Sequence, residues 1–159
     1  MKDEIINGLS LKNDIALLYN FLAKYDEIVQ SFNYQTHQKS FFNIINKKSI
    51  THKKSSEAND ILEKEKTIED NSIIMTVKNA ENIPVGFIRH LRNSIAHGQI
   101  SLKRNRYVIC DKVKFGKKSK YYGLEYPTAC GIYDKDKIVN LITFLLSIIS
   151  EQKCQQTKK

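Results

Sequence analysis

Apolar positions recur along this chain with two periods, and the longer one dominates. Ile15, Leu18, Leu22, Tyr25, Val29 and Phe32 follow the 3.6-residue repeat of a helix with one face on a core. Ser10 or the Asn13-Asp14 pair can cap its start. Phe41, Phe42, Ile44 and Ile45 predict a short second helix, followed by a basic loop through Lys47, Lys48, His52, Lys53 and Lys54. A third helix is predicted from Ser56-Glu57-Ala58-Asn59-Asp60, with Ile61, Leu62 and Ile68 on its dry side. The run Ile73-Ile74-Met75-Thr76-Val77 is apolar without alternation, so periodicity leaves helix and strand open. Helical signals on both sides favour a short helix. Ile88, Leu91 and Ile95 then form the stripe of a helix that opens near Pro84 and closes at Gly98. Ile138, Leu141, Ile142, Leu145, Leu146 and Ile149 give a last, broad-faced helix capped by Asp134 or Asp136.

Between those last two helices the period shortens to two. Gln99-Ile100-Ser101-Leu102 alternates, and Tyr107-Val108-Ile109-Cys110 follows the basic turn Lys103-Arg104-Asn105-Arg106, which predicts a β-hairpin. The expected fold is mainly α, with a small hairpin at about 99–132 inserted before the last helix. Residues 1–150 read as one domain and 151–159 as a polar tail.

Charge changes the picture. Lys and Arg number 26 against 17 Asp and Glu, a formal +9, so a polyanion is the first partner to consider. A merely Lys-rich soluble surface is the other reading. Lys112, Lys114, Lys117, Lys118 and Lys120 surround Gly116 and precede Tyr121, Tyr122 and Tyr126. That mixture suits either single-stranded nucleic acid or an ordinary hairpin with packed tyrosines and solvated lysines.

Several chemistries drop out. Cys110, Cys130 and Cys154 are widely spaced and form no CxxC, so neither a disulfide framework nor a zinc site is expected, which fits a reducing cytosol. His37 and His52 have no acidic or thiol ligand at metal spacing. P-loop, GxGxxG, HExxH and GxSxG signals are missing, so no metal and no cofactor is expected. Sparse carboxylates argue against two-metal and paired-carboxylate hydrolysis. The Met1–Ile6 segment has no signal-peptide core and Ile142–Ile149 is too short to span a bilayer, so a cytoplasmic protein off the membrane is expected.

What remains is the polar side of the helix ending at Gly98. It carries Arg89, His90, Arg92, Asn93 and His97 with no carboxylate among them. An Arg fork can grip a phosphate, and a His can move a proton off a ribose 2′-hydroxyl or onto a leaving 5′-oxygen. Together they would cleave RNA without metal and spare DNA. Spacing complicates this: Arg92 and His97 lie about 140° apart around a helix. Asn93 and His97 share a face, with Arg89 on Asn93's side. Either the helix end bends the His back or a second copy supplies the missing group, and we favour a homodimer. The competing reading is an ordinary helix C-terminus, where His suits the dipole and Asn and Gly suit the cap.

Arg92-Asn93-Ser94-Ile95-Ala96-His97 matches an R-N-x-x-x-H pattern, and in its helical setting it resembles the HEPN (higher eukaryotes and prokaryotes nucleotide-binding) superfamily, above all its bacterial toxin–antitoxin and phage-defence members. The resemblance implies an antiparallel helical bundle, usually dimeric, with both motifs lining one cleft. It implies a metal-independent endoribonuclease acting as a toxin or abortive-infection effector, with Arg92 and His97 as the catalytic pair and Asn93 positioning. Arg89, Lys103, Arg104, Arg106, Lys117 and Lys118 are the candidate RNA-binding groups. An antitoxin, of nucleotidyltransferase type or another, is a candidate partner, with Tyr107, Tyr121 and Tyr122 as conceivable acceptors of a nucleotide. The superfamily also contains noncatalytic modules that bind RNA or a partner protein, which is the alternative reading.

Overall fold

The computed structural model describes residues 2–54, 68–118 and 122–156. Helices α1 (Lys2–Ser31) and α2 (Tyr34–Ile44) lead through a 3-10 turn at Lys47–Ser49 into strand β1 (Ile50–Lys54). Strand β2 (Ser72–Val77) precedes helix α3 (Ile83–Ala96). Strands β3 (Ile100–Lys103), β4 (Arg106–Lys114) and β5 (Glu125–Asp134) follow, and α4 (Lys135–Gln156) closes the described chain. The strands form one mixed sheet in the order β1-β2-β5-β4-β3, in which only β1 and β2 run parallel.

This sheet overturns the expected mainly α bundle with an inserted hairpin. The hairpin exists, as β3 and β4 joined by Arg104 and Asn105, both at positive φ. It is one edge of a five-stranded layer rather than an insertion. The short helix favoured at Ile73–Val77 is instead β2, whose Ile73, Ile74, Met75 and Thr76 are all buried. A strand covered on both faces loses its alternation, which is why periodicity could not identify it. The basic loop expected at Lys47–Lys54 ends in β1, where Ile50 alone is buried. Lysines on an edge strand discourage further pairing and hide its strand character. The helix predicted from Ser56 onward falls on residues outside those described.

The helices contribute one continuous core with one face of the sheet: Phe21 and Ile28 from α1, Phe41 from α2, Phe87, Ile88 and Leu91 from α3, Leu141 and Leu145 from α4, against Met75, Ile109 and Tyr133. Phe87 lies edge-on to both Phe41, at 5.7 Å, and Tyr133, at 5.6 Å, so α3 is wedged between α2 and the sheet. Burial pushes the Tyr133 hydroxyl up to about 12, against the smaller effect of its Ser49 contact. A buried polar clamp ties α1 to the sheet: the Tyr107 hydroxyl donates to Asp14 at 2.8 Å, and Lys135 reaches the same carboxylate at 3.0 Å.

Gly131 is a packing requirement. A Cβ there would lie 2.8 Å from Ile73 Cβ and 2.9 Å from the Ser72 carbonyl, in the register that sets Ile73 opposite Gly131. Gly131→Ala is expected to lower the unfolding free energy by about 1–3 kcal/mol in urea titration. An unchanged midpoint would show that β2 can move aside at no cost.

Candidate functional site

Helix α3 is set at both ends by local chemistry. The Asn82 side chain accepts from the Val85 N–H at 3.0 Å, and Pro84 sits in the first turn, where a missing N–H is harmless. At the other end the Gly98 N–H donates to Ile95 O at 3.1 Å and the Gln99 N–H to Ser94 O at 2.7 Å, a Schellman pair. Gly98 takes the required left-handed conformation, with φ +63°. His97, immediately before it, is the exposed C-cap.

Two residues of the carboxylate-free face are neutralised from elsewhere in the chain. Arg89 forks onto Glu81 at 2.7 and 2.8 Å and also donates to the Thr76 carbonyl at 3.2 Å. Burial pushes the Glu81 carboxyl up, but the Arg89 hydrogen bond and charge outweigh it and hold it below the usual range. His90 is fully buried. Its Nδ1 lies 2.6 Å from Asp111 Oδ2 and its Nε2 2.7 Å from the Thr76 carbonyl. The ring thereby bridges α3 to the Asp111 carboxylate of β4 and the Thr76 carbonyl of β2. Asp111, only 1% exposed, is driven up by burial and more strongly down by hydrogen bonds from His90 and Asn93, and stays below the ordinary carboxylate value.

The buried pair reaches the motif through Asn93. Asn93 Nδ2 donates to the same Asp111 oxygen at 3.1 Å, and its Oδ1 accepts from Arg92 Nη1 at 3.2 Å. The Arg92 guanidinium rests 5.4 Å above the Tyr25 ring of α1. A chain of hydrogen bonds therefore runs from the sheet through His90, Asp111 and Asn93 to the half-buried Arg92. His97 joins it only through its backbone, whose N–H donates to Asn93 O at 3.0 Å. The fold thus locks Arg92 and Asn93 together and leaves the His97 ring in solvent.

Just past His97 an open cleft of about 300 Å³ is lined by Gly98, Cys110, Lys112 and Glu125 among others. Lys112 is a cation that sequence reading left among many lysines. Asp111 was equally unremarked, yet it carries a sequence signal: Tyr107, Ile109 and Asp111 alternate along β4 and all point inward. A carboxylate at an inward strand position calls for a buried donor.

The candidate RNA-binding groups do not form one cluster. Arg89 is held by Glu81, and Arg106 pairs with Asp70 at 2.6 Å and Asp134 at 3.3 Å. Lys103, Arg104, Lys117 and Lys118 are exposed. The first two precede β4 and the others follow it, roughly 27 Å apart along the strand. Of the candidate acceptor tyrosines, Tyr107 is buried against Asp14, Tyr122 is exposed, and Tyr121 lies outside the described residues.

The model of the HEPN pEK499 p136 family matches residues 7–156. The chain belongs to this HEPN family. No curated protein and no solved structure matches it. The matched residues take in all four described α-helices and the five-stranded sheet, and the sheet reaches the R-N-x-x-x-H segment of α3 through Asp111. Among the described residues of this HEPN chain, no helix is long and apolar enough to cross a membrane.

Proposed function

We propose that this HEPN protein is a metal-independent endoribonuclease working as a homodimer. The observation that carries the reading is the unequal treatment of the motif: Arg92 and Asn93 are held rigidly by the Asp111 network, while the His97 ring stands exposed at the helix end beside an open cleft. In the proposed reaction the ribose 2′-oxygen attacks the adjacent phosphorus as His97 removes its proton. Arg92 stabilises the charge on the phosphoryl oxygens. The P–O5′ bond then breaks and the 5′-oxygen takes up a proton, leaving a 2′,3′-cyclic phosphate and a 5′-hydroxyl.

A second copy supports this chemistry in two ways. It would bring a second His97 to the cleft as the other proton carrier. It would also cover an apolar groove of about 240 Å³ on which Ile15, Leu18, Tyr19 and Leu22 of α1 face Ile95, Ala96 and Ile100. Ile15 and Tyr19 are 40% and 68% exposed, and the groove takes in Ala96 and Ile100 on either side of His97 in the chain. The role as a toxin or abortive-infection effector, held in check by an antitoxin, rests on the likeness of the motif to bacterial HEPN systems.

The test is incubation of the purified protein with RNA, and separately with DNA, in EDTA. RNA is expected to be cut to 2′,3′-cyclic phosphate ends while DNA stays intact. Loss of cutting in EDTA would overturn the metal-free mechanism. RNA retained uncut on the protein would instead favour a noncatalytic binding module.

A further inference from the structure

The widely spaced Cys110 and Cys130 are cross-strand neighbours, paired in the β4–β5 register with their sulfurs 3.6 Å apart. The ladder geometry is the kind that permits a bond between them. The Cys110 N–H donates to Gln99 O, toward β3. In an antiparallel strand a residue's N–H and C=O face the same neighbour, so opposite β5 the Cys110–Cys130 pair is the non-hydrogen-bonded type. Such pairs have Cα atoms about 4.5 Å apart, inside the range a disulfide spans. The register of β4 and β5 shifts between Asp111 and Lys112, immediately past Cys110, which gives the ladder slack beside the pair.

Access separates the two thiols. Cys130 is 3% exposed and packs with Ile74, on the sheet face away from the helices. Cys110 is half-buried and lines the open cleft beyond Gly98, where Lys112 is a neighbouring lining residue. The same cleft also holds the Glu125 carboxylate, so access rather than charge sets Cys110 apart from Cys130.

We infer that Cys110 and Cys130 form a reversible oxidation site for a small peroxide, with Cys110 attacking and Cys130 resolving. The Cys110 sulfur attacks one peroxide oxygen, the O–O bond breaks, and Cys110 becomes a sulfenic acid as one water leaves. The Cys130 sulfur then attacks the Cys110 sulfur and expels the second water. The two thiols lose two protons and two electrons, and the peroxide is reduced to two waters. A dithiol reverses the step by exchange. Cys110 lines the same cleft as the RNA chemistry proposed above, but the oxidation step and its test do not depend on RNA cleavage.

The exposed Cys154 is the natural competitor, so the test uses the full chain with Cys154→Ser. Fully reduced protein is treated with equimolar hydrogen peroxide and analysed by intact mass and peptide mapping. The expected result is loss of two hydrogens, a linked pair of peptides carrying Cys110 and Cys130, and recovery of both thiols in dithiothreitol. With a dimedone-type trap present during the reaction, the label is expected on Cys110 and not on Cys130. Cys130→Ser should raise that label, and if that variant fails to fold, the trap experiment in the Cys154→Ser chain stands alone. Absence of the linked peptides, a label on Cys130, or linking as fast in urea as in the folded chain would each overturn the inference.

Discussion

His97→Ala is expected to lower RNA cleavage by about 10²–10⁴-fold, the range over which a positioned acid or base contributes. The ring is exposed and the helix end is closed by the backbone of Gly98 and Gln99, so the fold should not notice its loss. A surface change of this kind shifts stability by less than about 0.5 kcal/mol. The pair of measurements is a cleavage time course and a thermal melt on the same preparation. Cleavage at the wild-type rate would remove His97 from the chemistry. Mixed dimers of His97→Ala and Arg92→Ala chains sharpen the result. If the site is composite, an equimolar mixture should regain activity that neither variant has alone, provided one intact Arg92 and one intact His97 can meet across the interface.

Asp111→Ala should be the most damaging single change to stability. It strands a buried His90 whose Nδ1 has Asp111 as its acceptor. Breaking such a pair from one side costs about 3–5 kcal/mol, enough to unfold a marginal domain. Removing both partners is cheaper than removing one. His90→Leu combined with Asp111→Leu is therefore expected to recover most of the loss, since Arg89 still donates to the Thr76 carbonyl that His90 would leave. Denaturant midpoints of the single and double variants provide the check, and equal destabilisation in both would show that packing, not pairing, sets the cost. The Asp111 carboxyl is held below its ordinary value in the folded chain. Its contribution to stability is thus complete above the unfolded carboxylate pKa, near 4, and is lost as pH falls through the lowered folded value. Asp111→Asn should remove that part of the acid dependence.

The same residue explains how much of the site was legible in the chain. Arg92, Asn93 and the C-cap His97 stand at one helix end, and their types and spacing follow from consecutive residues. The partners of that helix do not. Glu81 and Asp111 neutralise Arg89 and His90 from a preceding turn and from β4, so a face that reads as four cations and an amide awaiting an anion is in part already satisfied. Likewise Cys110 and Cys130 look unrelated at their separation and become neighbours only through strand register.

By itself the sequence determined what a local period can carry. The core stripes of α3 and α4, the β3–β4 hairpin turn, the glycine stop after His97 and the motif all repeat or end within a few residues, whereas on α1 the predicted stripe is half-exposed and Phe21 and Ile28 beside it fill the core. The tertiary structure alone decided the sheet. β2 is apolar on both sides because β1 and β5 flank it, the helices cover one face and Ile68, Cys110 and Cys130 pack on Ile74 at the other, and β1 is basic at an edge. The alternation of β4 is legible along the chain, but the pairing of distant segments is not, so the approach of Asp111 to His90 and Asn93 of α3 could be recognised only once folded. The helix that ends at Gly98 thus supplies the motif, and the sheet that periodicity concealed holds it in place.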